Sequence, residues 1–180
     1  MRHRGFTFLA IALLLTPAAW AGTGLVGLSA GQTSIDDDLG GTDYSANDTG
    51  WKLFGGYDFI RYFGVEGGYT DMGSLSSSYA GTDVTSDLSG FGLYARGMVP
   101  IGKGFEVFGK LGYVMWDADT TVESGGLSAS ASDSGNDLAF GAGAAWHFNE
   151  RYGVRLEYEV FDIEQTDTTS FASVGFAFSF

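Results

Sequence analysis

Apolar and polar positions alternate one for one along most of this chain, the period of a strand whose two faces meet different surroundings. The pattern is sharpest at the C-terminus. There Ala172, Val174, Phe176, Phe178 and Phe180 share one parity, and Phe171, Ser173, Gly175, Ala177 and Ser179 the other. The same alternation predicts strands over Val26–Ile35, Trp51–Phe59, Phe63–Tyr69, Leu88–Val99, Phe105–Trp116, Asp137–Phe148, Tyr152–Phe161 and Thr169–Phe180. The links between them alternate in length. Polar stretches Asp36–Asp48, Asp71–Asp87, Asp117–Asn136 and Asp162–Thr168 read as loops, and Ile60-Arg61-Tyr62, Pro100–Gly104 and Asn149-Glu150 as tight turns. No helical period intervenes, which excludes parallel βαβ units. An even number of strands with long and short links in turn predicts an all-β fold. It is an eight-stranded antiparallel transmembrane β-barrel, an up-and-down meander with short periplasmic turns and long extracellular loops.

Alternation alone leaves open which face points inward. A lipocalin-type soluble barrel would bury the apolar face, and a membrane barrel would show it to lipid. The polar face carries Lys52, Asp58, Glu66, Arg96, Glu106, Lys110, Arg155, Glu157 and Glu159, and is otherwise rich in glycine and alanine. An eight-stranded barrel has an interior just wide enough for side chains, so large groups must alternate with small ones. On the apolar face, aromatics gather beside the short turns: Tyr57, Phe59, Phe63, Trp146, Phe148, Tyr152, Phe178 and Phe180. They predict a girdle at one membrane interface. The charges are therefore placed inside as a mixed ion-pair network. Buried charges are costly unless paired, so the plain role of this network is a structural plug. The alternative is a narrow ion path gated by Glu66, Arg96, Lys110, Arg155 and Glu157.

The first residues have another character. Arg2, His3 and Arg4 precede an apolar run from Phe6 to Leu15, and Ala19-Trp20-Ala21 fits a small-x-small cleavage site. The run is shorter than the roughly 20 residues a spanning helix needs, so residues 1–21 read as a cleaved signal peptide and residues 22–180 as the barrel domain. The cleaved chain would hold 7 basic and 22 acidic residues, a charge of 7 − 22 = −15. Such a chain does not bind nucleic acid by neutralising phosphates. Its long loops hold acids and no bases, so the outward end attracts divalent cations or basic partner surfaces. Asp36-Asp37-Asp38 lacks the spacing and glycine of a calcium loop, so no defined metal site is predicted, and no cofactor. With no cysteine, disulfides and thiolate sites are excluded.

Several stretches carry a family likeness. Gly109-Lys110-Leu111-Gly112-Tyr113-Val114-Met115-Trp116-Asp117-Ala118-Asp119-Thr120, Arg155-Leu156-Glu157-Tyr158 and Val65-Glu66-Gly67-Gly68-Tyr69 resemble the OmpA-type eight-stranded transmembrane domain. The resemblance covers the second to eighth strands. It implies salt-bridged interior charges, with Glu66, Arg96, Lys110 and Glu157 at matching places. Asp117 stands where that family often has a basic residue. The peptidoglycan-binding domain of the long members is missing, so the likeness is to the short members, and cell-wall anchoring is not implied. Phe176, Phe178 and Phe180 resemble the C-terminal signal read by the barrel-assembly machinery. The family setting implies the outer membrane of a Gram-negative bacterium, in contact with lipid and lipopolysaccharide, as a monomer.

Some barrels of this size are enzymes acting on lipid A. The deacylase kind uses a His-x-Ser pair, and His147-Phe148-Asn149 puts asparagine at the serine position. His147 also has the inward parity and lies near the short turns, while lipid A occupies the outer leaflet. The acyl-transferase kind has a leading amphipathic helix, which is not seen here. The expectation is a non-enzymatic barrel with a structural or surface-interaction role. A low-conductance porin-like channel and an adhesin or host-interaction factor are the alternatives.

Overall fold

A computed structural model describes residues 22–38, 43–79, 82–124, 127–162 and 168–180. Residues 1–21, where the signal peptide is expected, lie outside them, as do residues 39–42, 80–81, 125–126 and 163–167. The described chain forms eight strands: β1 (Thr23–Asp38), β2 (Asp43–Ile60), β3 (Phe63–Tyr79), β4 (Thr82–Ile101), β5 (Phe105–Ser124), β6 (Leu127–His147), β7 (Tyr152–Phe161) and β8 (Thr168–Ser179). Each pairs antiparallel with its neighbours in sequence, and β8 returns to β1 to close the ring. The seam is finished by the last residue. Phe180 accepts from the Gly24 N–H at 3.0 Å and donates its own N–H to Gly24 at 2.8 Å.

The faces fall as the alternation predicts. Leu28, Leu53, Leu93, Leu111, Phe140, Leu156 and Val174 are exposed on the outer wall, while Lys52, Glu66, Arg96, Lys110, Arg155 and Glu157 are buried within. The tight turns are where expected. Between Pro100 and Gly104 the chain reverses through Gly102 and Gly104 at φ of 67° and 86°, a backbone region glycine enters without a Cβ clash.

The long loops are different from the expectation. The described residues of Asp36–Asp48, Asp71–Asp87 and Asp117–Asn136 are not irregular. They are upward continuations of the strands, paired to within a few residues of each tip. From Phe105↔Trp146 to Ser124↔Leu127 the β5–β6 register runs without a shift. The ladder is made by backbone N–H and C=O groups, which pair as well beneath serine as beneath leucine. Hydrophobic contrast between faces disappears above the membrane, so periodicity could not reveal these segments. Among the described residues β7 is a 10-residue strand beside a 21-residue β6.

Candidate functional site: a charged layer across the lumen

Six ionised side chains from four strands meet inside the barrel. Lys52 on β2 lies 2.9 Å from Glu157 and 2.6 Å from Glu159. Lys110 on β5 lies 2.6 Å from Glu159 and 3.2 Å from Glu66, and also pairs with Glu157. Arg155 on β7 donates Nη1–H and Nη2–H to the two oxygens of Glu66 on β3 at 2.6 and 3.1 Å, with Glu157 2.9 Å away. Three cations face three carboxylates, so the cluster is neutral: 3 − 3 = 0. Glu66, Lys110 and Glu159 are 1, 4 and 0 % exposed. Each charge has two or more opposite partners, which is what makes so dry a site tolerable.

Arg96 stands apart. Its Nη2 donates to both oxygens of Asp58 at 2.7 Å, and its Nη1 is 3.9 Å from Glu66. Of the five residues read from the sequence as a possible gate, the structure brings together Glu66, Lys110, Arg155 and Glu157. It sets Arg96 one layer toward the periplasmic turns and adds Lys52 and Glu159. Those two carried the inward parity, but their level depends on how neighbouring strands are staggered in a tilted barrel, which one strand's pattern does not encode.

Aromatic side chains of the same inward parity hold the layer. The Arg155 guanidinium lies between the rings of Phe54 and Phe108, at 4.6 and 4.3 Å, and the Lys110 ammonium is 4.1 Å from the Tyr94 ring. Cations over ring faces gain from the quadrupole, more so where water is excluded. Above the layer Met72, Tyr94, Val114, Trp116, Ala139, Phe161 and Phe171 pack together, and the Trp116 indole N–H donates to Asp137. Below it sit Met98, Phe108 and Ala145. Sequence reasoning stressed the small residues of this face and overlooked its rings. The signal was available in the parity that Phe54, Tyr94 and Phe108 share with Lys52, Arg96 and Lys110.

A match to known proteins spans nearly the whole chain. The model of the outer membrane protein beta-barrel domain fits residues 6–180. The chain belongs to that family. Outer membrane protein A of Salmonella typhi is 32 % identical over 114 residues, 63 % of this chain, and that of Klebsiella pneumoniae 31 % over 112 residues. The chain matches about a third of the length of these relatives, 33 % in both cases. Among solved structures, Ail, the attachment invasion locus protein of Yersinia pestis, in complex with the heparin analogue sucrose octasulfate, superposes with a TM-score of 0.62. The two are 20 % identical over 87 % of this chain and 99 % of Ail. Neisserial surface protein A gives a TM-score of 0.66 at 17 % identity over 87 % of this chain and 97 % of its own. Family and relatives place the protein in the outer membrane of Gram-negative bacteria, among its lipid and lipopolysaccharide.

With that setting, the outer wall can be read by depth. Near the short turns Phe59 stacks on Phe63 at 6.5 Å, Phe105 on Trp146 at 5.8 Å, and Phe178 on Phe180 at 6.1 Å. Tyr57 contacts Phe59, Phe148 contacts Trp146, and Tyr152 lies between Phe176 and Phe178. Higher on the wall are exposed Trp51, Tyr69, Tyr113 and Tyr158, with Trp51 and Tyr69 in contact at 5.6 Å. The sequence reading named only the lower set; the upper one is spread over four strands and is visible only once register is known.

His147 is half-buried at the lower mouth. It lines a cavity of about 40 Å³ with Asp58, Arg96, Glu106, Arg155 and Ser179.

Proposed function

We propose that this protein is a closed outer-membrane barrel that serves as a structural and surface-interaction element rather than as a channel or an enzyme. The observation that carries this reading is the neutral three-by-three charge layer, sealed by aromatic side chains above and below. Opening a path through it would require several buried charges to part together. A charge separated from its partner in a dry site costs several kcal/mol. In planar bilayers, the mature chain is expected to show negligible steady conductance; a large, sustained conductance would establish the porin-like alternative. The mature chain is taken to begin at Gly22 after removal of residues 1–21, which the intact mass of the exported protein would check. Insertion as a monomer through the barrel-assembly machinery, using Phe176, Phe178 and Phe180, belongs to the same reading.

The interacting surface is the outward end. Asp87, Asp117, Asp119 and Asp133 are exposed on β4, β5 and β6, and Asp87 stands directly across from Asp119. Asp36–Asp38, Asp43, Asp83 and Glu123 add acidic residues whose side chains fall outside the described set, and Glu164 and Asp167 lie outside the described residues. Ail was solved with a sulfated, polyanionic sugar. The acidic end of this chain favours the opposite sign, basic partners or divalent cations. Replacing Ala118–Asp133 by an Asn-Gly turn is expected to leave insertion unchanged and to remove binding of cationic surfaces; failure to insert would contradict the assignment of these hairpins to the exterior.

A further inference from the structure

Above the membrane the ring of strands opens. The upper halves of β3, β4, β5 and β6 remain paired to one another, from Ser74↔Asp87 through Asp87↔Asp119 to Asp119↔Ser132. They form a four-stranded sheet that no longer joins β2 or β7, so it has two lateral edges. The β3 edge is managed. Its pairing with β2 ends at Trp51↔Asp71, the strand is bulged at Gly73 (φ 89°), and the Asp48 carboxylate accepts the Ser74 N–H at 2.6 Å. A bulge and a side-chain cap are recognised ways of closing an edge.

The β6 edge has neither. Pairing with β7 ends at Ala139↔Phe161, and the last bond on that side runs from Asp162 N–H to Leu138 O at 2.9 Å. Beyond it, among the described residues, nothing pairs with β6 except β5. Since Leu138 directs its carbonyl to the β7 side and the register has no shift, every second residue above it does the same. Asn136, Ser134, Ser132, Ser130 and Ser128 therefore present N–H and C=O to the open side. All five are exposed, and the stretch Ser128–Asn136 has no proline, lysine or bulge to blunt it. At its far end the chain is next described at Thr168, which pairs with Asp36 on β1 and not with β6.

We infer that this edge of β6 takes up an extended, basic segment of another protein as an additional strand. The inference rests on the surface-interaction reading and names its partner. Backbone pairing would supply the register. Charge would supply the choice. On the outer face the serines of β6 stand next to Asp117 and Asp119 of β5, with Asp117↔Ser134 and Asp119↔Ser132 paired and Ser132 Oγ donating to Asp119 at 2.5 Å. An added strand would lie two strand spacings, about 10 Å, from those aspartates. The intervening side chains are only serines. Lysine or arginine at alternate positions of the added segment is long enough to cross them, which acidic or short side chains could not do.

The test uses the full mature chain in nanodiscs and a synthetic nine-residue peptide alternating lysine with threonine. Expected are peptide binding that weakens with salt and slowed hydrogen exchange at the amides of Ser128, Ser130, Ser132 and Ser134. Ser130→Pro removes an N–H that β5 does not use, so the barrel should fold while binding falls at least about tenfold. Asp117→Asn with Asp119→Asn should lower affinity and flatten the salt dependence while sparing the fold. Equal binding of a glutamate-containing counterpart, binding indifferent to Ser130→Pro, or protection of the edge by a second copy of the chain would each overturn the inference. If cationic surfaces still bind the Ser130→Pro protein as before, the broader surface role stands and the edge is excluded as its site.

Discussion

The two halves of β5 make an instructive pair. From Phe105 to Trp116 the strand alternates lipid-facing Val107, Leu111 and Tyr113 with lumen-facing Phe108, Lys110 and Val114. From Asp117 to Ser124 the outward parity is polar throughout, and the inward one mixes Ala118 and Val122 with Thr120 and Ser124. Yet the hydrogen-bonded register to β4 passes from one half to the other without a shift. The backbone thus treats the two halves alike, and the solvent does not. In hydrocarbon every N–H and C=O must be paired within the protein, so the lower half has to close into a ring. In water an unpaired group can be hydrated, so the upper half is free to end in edges. Side chains follow suit: below, they face lipid or the crowded lumen, and above, Asp117, Asp119 and Ser128 to Ser134 are exposed.

This contrast can be broken most forcefully in the lumen. Lys110→Met would leave two cations against three carboxylates, a residual charge of 2 − 3 = −1 in a site excluded from water. A loss of about 3–5 kcal/mol in unfolding free energy is expected. Urea titration in detergent would measure it, and a loss below about 1 kcal/mol would show the layer to be far wetter than its burial implies. A gentler comparison sets one substitution at two heights of the same face. Leu111→Arg places a charge about midway up the lipid-facing wall and should cost about 2–4 kcal/mol. Thr121→Arg, ten residues on at the same parity, should stay within about 0.5 kcal/mol of the parent. Equal costs at the two positions would mean that the membrane boundary is not near Trp116.

The strand count, the faces and the turns were legible because lipid on one side and charge on the other impose a strong contrast at a period of two. Each strand reports that contrast alone, without its neighbours. What stayed hidden needed more than one strand. The pairing of Lys52 with Glu159 depends on stagger around the ring, and so does the removal of Arg96 to Asp58. The hairpins at Ser74–Tyr79, Thr82–Asp87 and Asp117–Ser134 were illegible for another reason. Serine, threonine and aspartate outnumber the scattered Leu75, Val84, Ala118 and Val122 and blur the contrast between faces, although the ladder beneath them is intact. The aromatic packing around the charges fell between these cases. Its parity was plain, but rings among lysines and glutamates read as exceptions until Phe54 and Phe108 are seen on either side of one guanidinium.

That placement of Arg155 has a further consequence. A long side chain wedged between two flat surfaces has already lost most of its torsional freedom, so its carboxylate partners need not supply the ordering. Shortening Glu66 would leave the guanidinium seated where it is, a fixed post between its two rings.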